Sequence, residues 1–107
     1  MLRAGELQIV PADRRSIGSR KHLGLPFQEH LLEIAPNTML YMLSDGYADQ
    51  FGGEHNRKIG SRQVEALLQK IHAFDCTLQK NVLHNFLAKW KGNQRQIDDI
   101  SVLGIRL

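Results

Sequence analysis

The sequence predicts an α+β fold, a mainly antiparallel sheet covered on one side by two helices. Three observations lead there. Met39–Leu43 is a short, unbroken run of aliphatic and aromatic residues. Residues 100–107 contain Ile100, Val102, Leu103, Ile105 and Leu107, strand formers broken only by Ser101, Gly104 and Arg106. Between these runs lie two segments whose apolar residues recur at helical spacing.

The chain's bounds agree with that class. A length of 107 residues predicts one compact unit. The 42% hydrophobic and 23% charged content are those of an ordinary globular domain. Cys76 is the single cysteine, which excludes an internal disulfide and fits a reducing, cytoplasmic setting. No apolar run nears the roughly 20 residues that span a bilayer, so no membrane contact is expected in this segment. A net charge of +3 permits an anionic partner without demanding one.

Taken in order, residues 7–10 alternate and then meet Pro11, the pattern of a short edge strand. Arg14, Arg15, Arg20 and Lys21 flank residues 16–19 and form the most basic stretch. It reads as a solvated loop. No aromatic residues interleave with these charges, which argues against nucleic-acid binding. Residues 23–27 hold Gly24 and Pro26 and read as loop. Residues 28–35 pair with Met39–Leu43 as an expected hairpin across the Pro36-Asn37 turn.

The Met39–Leu43 run reads as a strand buried on both faces. It stops at Ser44-Asp45-Gly46, read as a tight turn in which Gly46 takes positive φ and lets other backbone approach. Asp45 is then either a turn residue or a carboxylate fixed at the mouth of a rigid strand. Residues 47–51 suit one helical turn, ended by Gly52-Gly53, and residues 54–58 suit an exposed loop. Asp49 there is either a surface residue or an acid supporting the site.

Ser61 is the expected N-cap of the first helix, with Val64, Leu67, Leu68 and Ile71 inward. Asp75 or Thr77 starts the second, whose stripe is Leu78, Val82, Leu83, Phe86, Leu87 and Trp90 and whose stop is Gly92. Such stripes are core, and the Trp90 indole N–H is expected to find an acceptor. Asp98 and Asp99 precede the last strand. Adjacent acids on extended chain face opposite ways, so one of the two is expected to share a site with Asp45.

Other chemistries lack their signatures. The five histidines form no His-Glu-x-x-His pattern and no Cys-x-x-Cys accompanies them, against a zinc site. Cys76 has no positioned base in the sequence and reads as structural. No Gly-x-x-x-x-Gly-Lys-Ser/Thr loop is present.

Leu43-Ser44-Asp45-Gly46, then Phe51-Gly52-Gly53, then two amphipathic helices, then Asp98-Asp99-Ile100-Ser101-Val102 together resemble the C-terminal part of the metal-dependent, PPM-type protein serine/threonine phosphatases. The resemblance is strongest to the bacterial branch typified by stage II sporulation protein E. It implies an α/β/β/α sandwich of which this chain is about the second half, since the family's earlier Asp-Gly motif is not here. It implies Asp45 and Asp98 as ligands of a two-metal Mn²⁺ or Mg²⁺ centre, incomplete in this chain, with Asp99 a further candidate where many relatives carry Asn. The implied reaction is hydrolysis of phosphoserine or phosphothreonine by metal-activated water. The implied substrate is a phosphorylated signalling protein such as an anti-sigma-factor antagonist, and the isolated piece is expected to turn over little. The competing expectation is a non-catalytic interaction module of a bacterial signalling protein, forming a homodimer through an exposed sheet edge.

Overall fold

The computed structural model describes residues 2–3, 6–10, 31–33 and 35–107. The basic residues Arg14, Arg15, Arg20 and Lys21, residues 16–19 between them and residues 23–30 lie outside that set.

Among the described residues the elements are, in order, β1 (Leu2–Arg3), β2 (Glu6–Leu7), β3 (Met39–Leu43), α1 (Asp45–Ala48), β4 (Phe51–Gly52), β5 (Arg57–Lys58), α2 (Ser61–Ile71), α3 (Cys76–Lys91) and β6 (Val102–Arg106). One antiparallel sheet has the order β2-β1-β3-β6, and β4 with β5 makes a separate two-stranded hairpin. This is the α+β arrangement expected.

The two longest strands pair along their full length, from Met39 opposite Arg106 to Leu43 opposite Val102. Their far end is cinched by backbone bonds from Asn37 N to Leu107 O (3.1 Å) and from Leu107 N to Thr38 O (2.9 Å). Thr38 is fully buried, and its hydroxyl donates to Ala35 O at 2.7 Å, closing the Pro36-Asn37 turn with Asn37 at φ 66°. The turn is as expected, but the hairpin is not. Residues 31–33 and Ala35 carry no strand, and among the described residues β3 pairs with β1 and β6 instead. A long-range partner displaced the local one, as short apolar runs allow. At the other end, residues 8–10 follow β2 outside regular strand, so that strand is shorter than its alternation suggested.

Met39, Tyr47, Ile59, Val64, Leu68, Ile71 and Leu83 make the core between the sheet and the helices. The inward positions of α2 are those its spacing predicts. Its N-cap is Gly60 at φ 84°, not Ser61, which is the first helical residue. The sharp exit from β5 needs the left-handed region, which only glycine enters at little cost. Asp75 caps α3, accepting from Leu78 N at 2.9 Å, and Gly92 ends it at φ 51°.

The stripe of α3 carries a polar residue that periodicity does not pick out. Gln79 is 3% exposed. Its Nε2 donates to His72 O (3.2 Å) and Phe74 O (2.9 Å), and its Oε1 accepts from Tyr41 Oη (2.6 Å). Arg106 Nη2 donates to the same two carbonyls. The α2–α3 connection is thus held to both β3 and β6, and its buried polar groups are satisfied.

Phe51-Gly52-Gly53 does not end a helix, and residues 54–58 are not only loop. They form the β4–β5 hairpin, which sits on Trp90. The indole Nε1 donates to Gln50 O (3.2 Å) and Arg57 O (3.1 Å), and Gly53 N donates to Trp90 O at 2.8 Å. A Cβ on Gly52 would overlap that carbonyl, so the glycine is required by close packing. Among the described residues, no helix is long and apolar enough to cross a membrane.

Candidate functional site

The three acids singled out by the sequence lie at one end of the β3–β6 pair. Asp45 is the first residue of α1, directly after β3, and is exposed. Asp98 and Asp99 lie just ahead of β6 and are exposed too. Because β3 and β6 are antiparallel and in register, the exit of one strand adjoins the entrance of the other.

Gly46 makes that adjacency close. It is buried, and a Cβ there would run into the main-chain carbonyl of Asp99 and touch the Ile100 side chain. The expected close approach of backbone to Gly46 is therefore present, with the Asp99 segment as the approaching chain. The expected positive φ is not. Gly46 is helical, and among the described residues the left-handed glycines are Gly53, Gly60 and Gly92. The helix begins two residues earlier than its composition suggested because α1 starts straight off the strand.

Ser44 fastens the two ends together. Its N–H donates to Ser101 O (2.9 Å), and its Oγ accepts from Ser101 N (2.9 Å) while donating to Asp99 O (3.2 Å). That hydroxyl is fully used across the sheet, so it leaves the N-terminus of α1 without a side-chain cap. Asp98 and Asp99 are not extended chain. Asp98 sits in a bend, and its Oδ1 accepts from the N–H of the next residue, Asp99, at 2.8 Å. Gln96 Nε2 donates to Asp98 O at 3.0 Å within the same bend.

Asp49 points elsewhere. Its carboxylate lies 3.6 Å from Lys58 Nζ in an exposed pair on the hairpin, which is its surface reading. Ser44 and Gln50 are the residues that sequence reasoning passed over. Ser44 stood inside the quoted motif but looked like mere turn chemistry. Gln50, 1% exposed, has no period or spacing to announce it.

Tyr47 anchors α1 beneath the acids. Its hydroxyl donates to Leu83 O at 2.7 Å, and burial pushes its pKa up to about 12. A shallow groove beside Asp45 is lined by Leu7, Leu40, Leu43, Ala48, Val64 and Leu68, so one side of the acidic end is apolar.

The donor chemistry suits a hard divalent cation. Asp45, Asp98 and Asp99 offer oxygen only, and Mg²⁺ or Mn²⁺ takes one or two carboxylates with water in the remaining positions. Among the described residues no group of three or more His, Cys, Asp or Glu side chains is placed to hold a metal ion.

Comparison with known proteins bears on this end of the sheet. No curated protein sequence matches the chain. Among solved structures it is similar to the SiaA-PP2C domain of Pseudomonas aeruginosa, at 31% sequence identity and a TM-score of 0.73. That match covers 78% of this chain and 34% of the other, so this chain spans about a third of its length. The profile of the stage II sporulation protein E family matches residues 3–107. With that profile running through both acidic motifs, and with the fold shared with part of a PP2C domain, the chain belongs to the stage II sporulation protein E family of PPM-type phosphatase domains.

Proposed function

We propose that this chain is the metal-ligand-bearing C-terminal portion of a protein serine/threonine phosphatase domain, with Asp45 and Asp98 as ligands and Asp99 as a further candidate. The single observation that carries the reading is the seating of Gly46 on the Asp99 carbonyl, which holds the two acidic motifs side by side. Two bound divalent ions, Mn²⁺ or Mg²⁺, would supply an activated water and neutralise charge on a transferring phosphoryl group. The chain's own part is to hold carboxylates at the exit of β3 and ahead of the entrance to β6, with Ser44 and Gly46 fixing their spacing. The substrate class is a phosphoserine or phosphothreonine protein in bacterial signalling, such as an anti-sigma-factor antagonist, and the setting is the cytoplasm. The rest of the ligand shell comes from residues this chain does not carry, so the isolated chain turns over little.

A Mn²⁺ titration of isotope-labelled protein tests this. Amide signals of residues 45–46 and 98–99 are expected to broaden together. Asp45→Asn should raise the Mn²⁺ needed by at least about tenfold, since even supporting residues of metal sites are worth that much. Separate broadening of the two stretches, or a metal-stimulated rate on an aryl phosphate that survives Asp45→Asn, would overturn the assignment.

A second reading has its own observation. Leu40, Met42, Leu103 and Ile105 share the sheet face opposite the helices, and Met42 and Leu103 are 61% and 52% exposed. A non-catalytic module would use this face and the β6 edge to pair with a second copy. Sedimentation decides it: a concentration-independent monomer removes the dimer.

A further inference from the structure

The segment between α3 and β6 carries Asp98 and Asp99 without regular structure of its own. Local bonds shape it, from Gln94 N to Lys91 O (2.8 Å) and from Gln96 Nε2 to Asp98 O (3.0 Å). Among the described residues, hydrogen bonds tie it to the rest of the fold at two points. One is Ser44, which bonds the Asp99 carbonyl through its Oγ and both backbone groups of Ser101. The other is Gln50, whose Nε2 donates to Arg95 O (3.1 Å) and to Phe51 O (2.9 Å). The two ties bracket Asp98, and both come from the short stretch that also carries Asp45.

We infer that Gln50 is a positioning residue for Asp98: its buried amide pins the Arg95 carbonyl and so sets where the acidic bend stands against Asp45. The inference rests on the phosphatase reading for its purpose, not for its geometry. Gln50 is placed for this from every side. Its N–H donates to Tyr47 O (3.4 Å), and its carbonyl accepts from Ile59 N (3.1 Å) and from the Trp90 indole (3.2 Å). A backbone held by α1, β5 and α3 leaves the side chain no freedom to wander, so the amide acts as a fixed peg. Both of its hydrogens are used, one on its own hairpin and one on the acidic segment. Gly52 and Gly53 serve the same end, since they let the hairpin settle on Trp90 and bring Gln50 within reach of Arg95. The Asp-Gln-Phe-Gly-Gly stretch thereby has a role in the site although only Asp45, upstream of it, is a candidate ligand.

Gln50→Met keeps the volume and removes the donor, and Gln50→Asn keeps the amide but withdraws it by one methylene. Without metal, amides of residues 95–99 in either variant are expected to lose order in heteronuclear relaxation while those of β3 and β6 keep theirs. With Mn²⁺, the unmodified protein should broaden at 45–46 and 98–99 together. In the variants, residues 98–99 should lag by about tenfold in Mn²⁺. Joint broadening at unchanged Mn²⁺ in either variant would overturn the inference, because a merely structural glutamine would lower stability without uncoupling the two stretches. If neither variant folds, the unmodified protein still decides: residues 95–99 as mobile as a free loop would sink the clamp, and order equal to β6 supports it. Absence of broadening at both stretches in the unmodified protein would fail the metal reading alone, leaving the relaxation data to judge Gln50.

Discussion

The two faces of the β3–β6 pair are built from the same strands and finished differently. Toward the helices stand Met39, Tyr41, Gly104 and Arg106. Met39 is 1% exposed, Tyr41 bonds Gln79, Arg106 bonds the α2–α3 connection, and Gly104 leaves room for the Tyr41 ring. Away from the helices stand half-buried Leu40 and the exposed Met42, Leu103 and Ile105, all apolar. The apolar run of β3 is the pattern of a strand covered on both sides, yet the described residues supply a cover for one. Hydropathy states which side chains favour burial; it does not state what buries them.

Three substitutions or titrations probe that contrast, in falling order of effect. Leu68 is a core residue under the covered face, and Leu68→Ala should cost about 3 kcal/mol in urea unfolding through lost transfer energy and an unfilled cavity. A loss below about 1 kcal/mol would mean that the helix side is not packed as described.

The second probe is alkaline pH. Tyr41 and Tyr47 both face the helices, and burial pushes each pKa from 10.0 to about 12, with Arg106 partly offsetting it at Tyr41. A phenol whose pKa is higher folded than unfolded contributes stability that is whole below pH 10 and lost as pH rises toward 12. Phenolate absorbance and unfolding should therefore rise together in that window. Titration of either tyrosine near 10 in the folded protein would break the picture of a sealed helix face.

The smallest effect belongs to the open face. Leu103→Lys should change stability by less than about 0.5 kcal/mol, as exposed substitutions do. A loss above about 1.5 kcal/mol in unfolding experiments would show that something covers Leu103, and a loss that appears only at high protein concentration would identify the cover as a second copy.

Much of the scaffold was legible because its signals are local. The 3.6 period of Val64, Leu68 and Ile71, the Asp75 cap and the Gly92 stop each act within a few residues, and each stands where it was read. The misreadings share the opposite cause. Ser61 looked like a cap, but the turn out of β5 required Gly60 at positive φ. Residues 28–35 looked like the partner of β3, but among the described residues β6, 59 to 67 residues downstream by register, pairs along its full length. Residues 54–58 looked like loop until Trp90 gave the hairpin a surface to rest on.

The same division runs through the site. The sequence by itself determined the acids, the strands that end beside them and the family resemblance of the Asp-Gly and Asp-Asp motifs, because these reside in residue types and their order. Only the tertiary structure decided that Gly46 is a seat for the Asp99 carbonyl instead of a left-handed turn, that Ser44 spends its hydroxyl across the sheet, and that Gln50 reaches Arg95. Those roles depend on which groups from distant parts of the chain must share one buried space and satisfy each other's hydrogen bonds, and no local pattern encodes that.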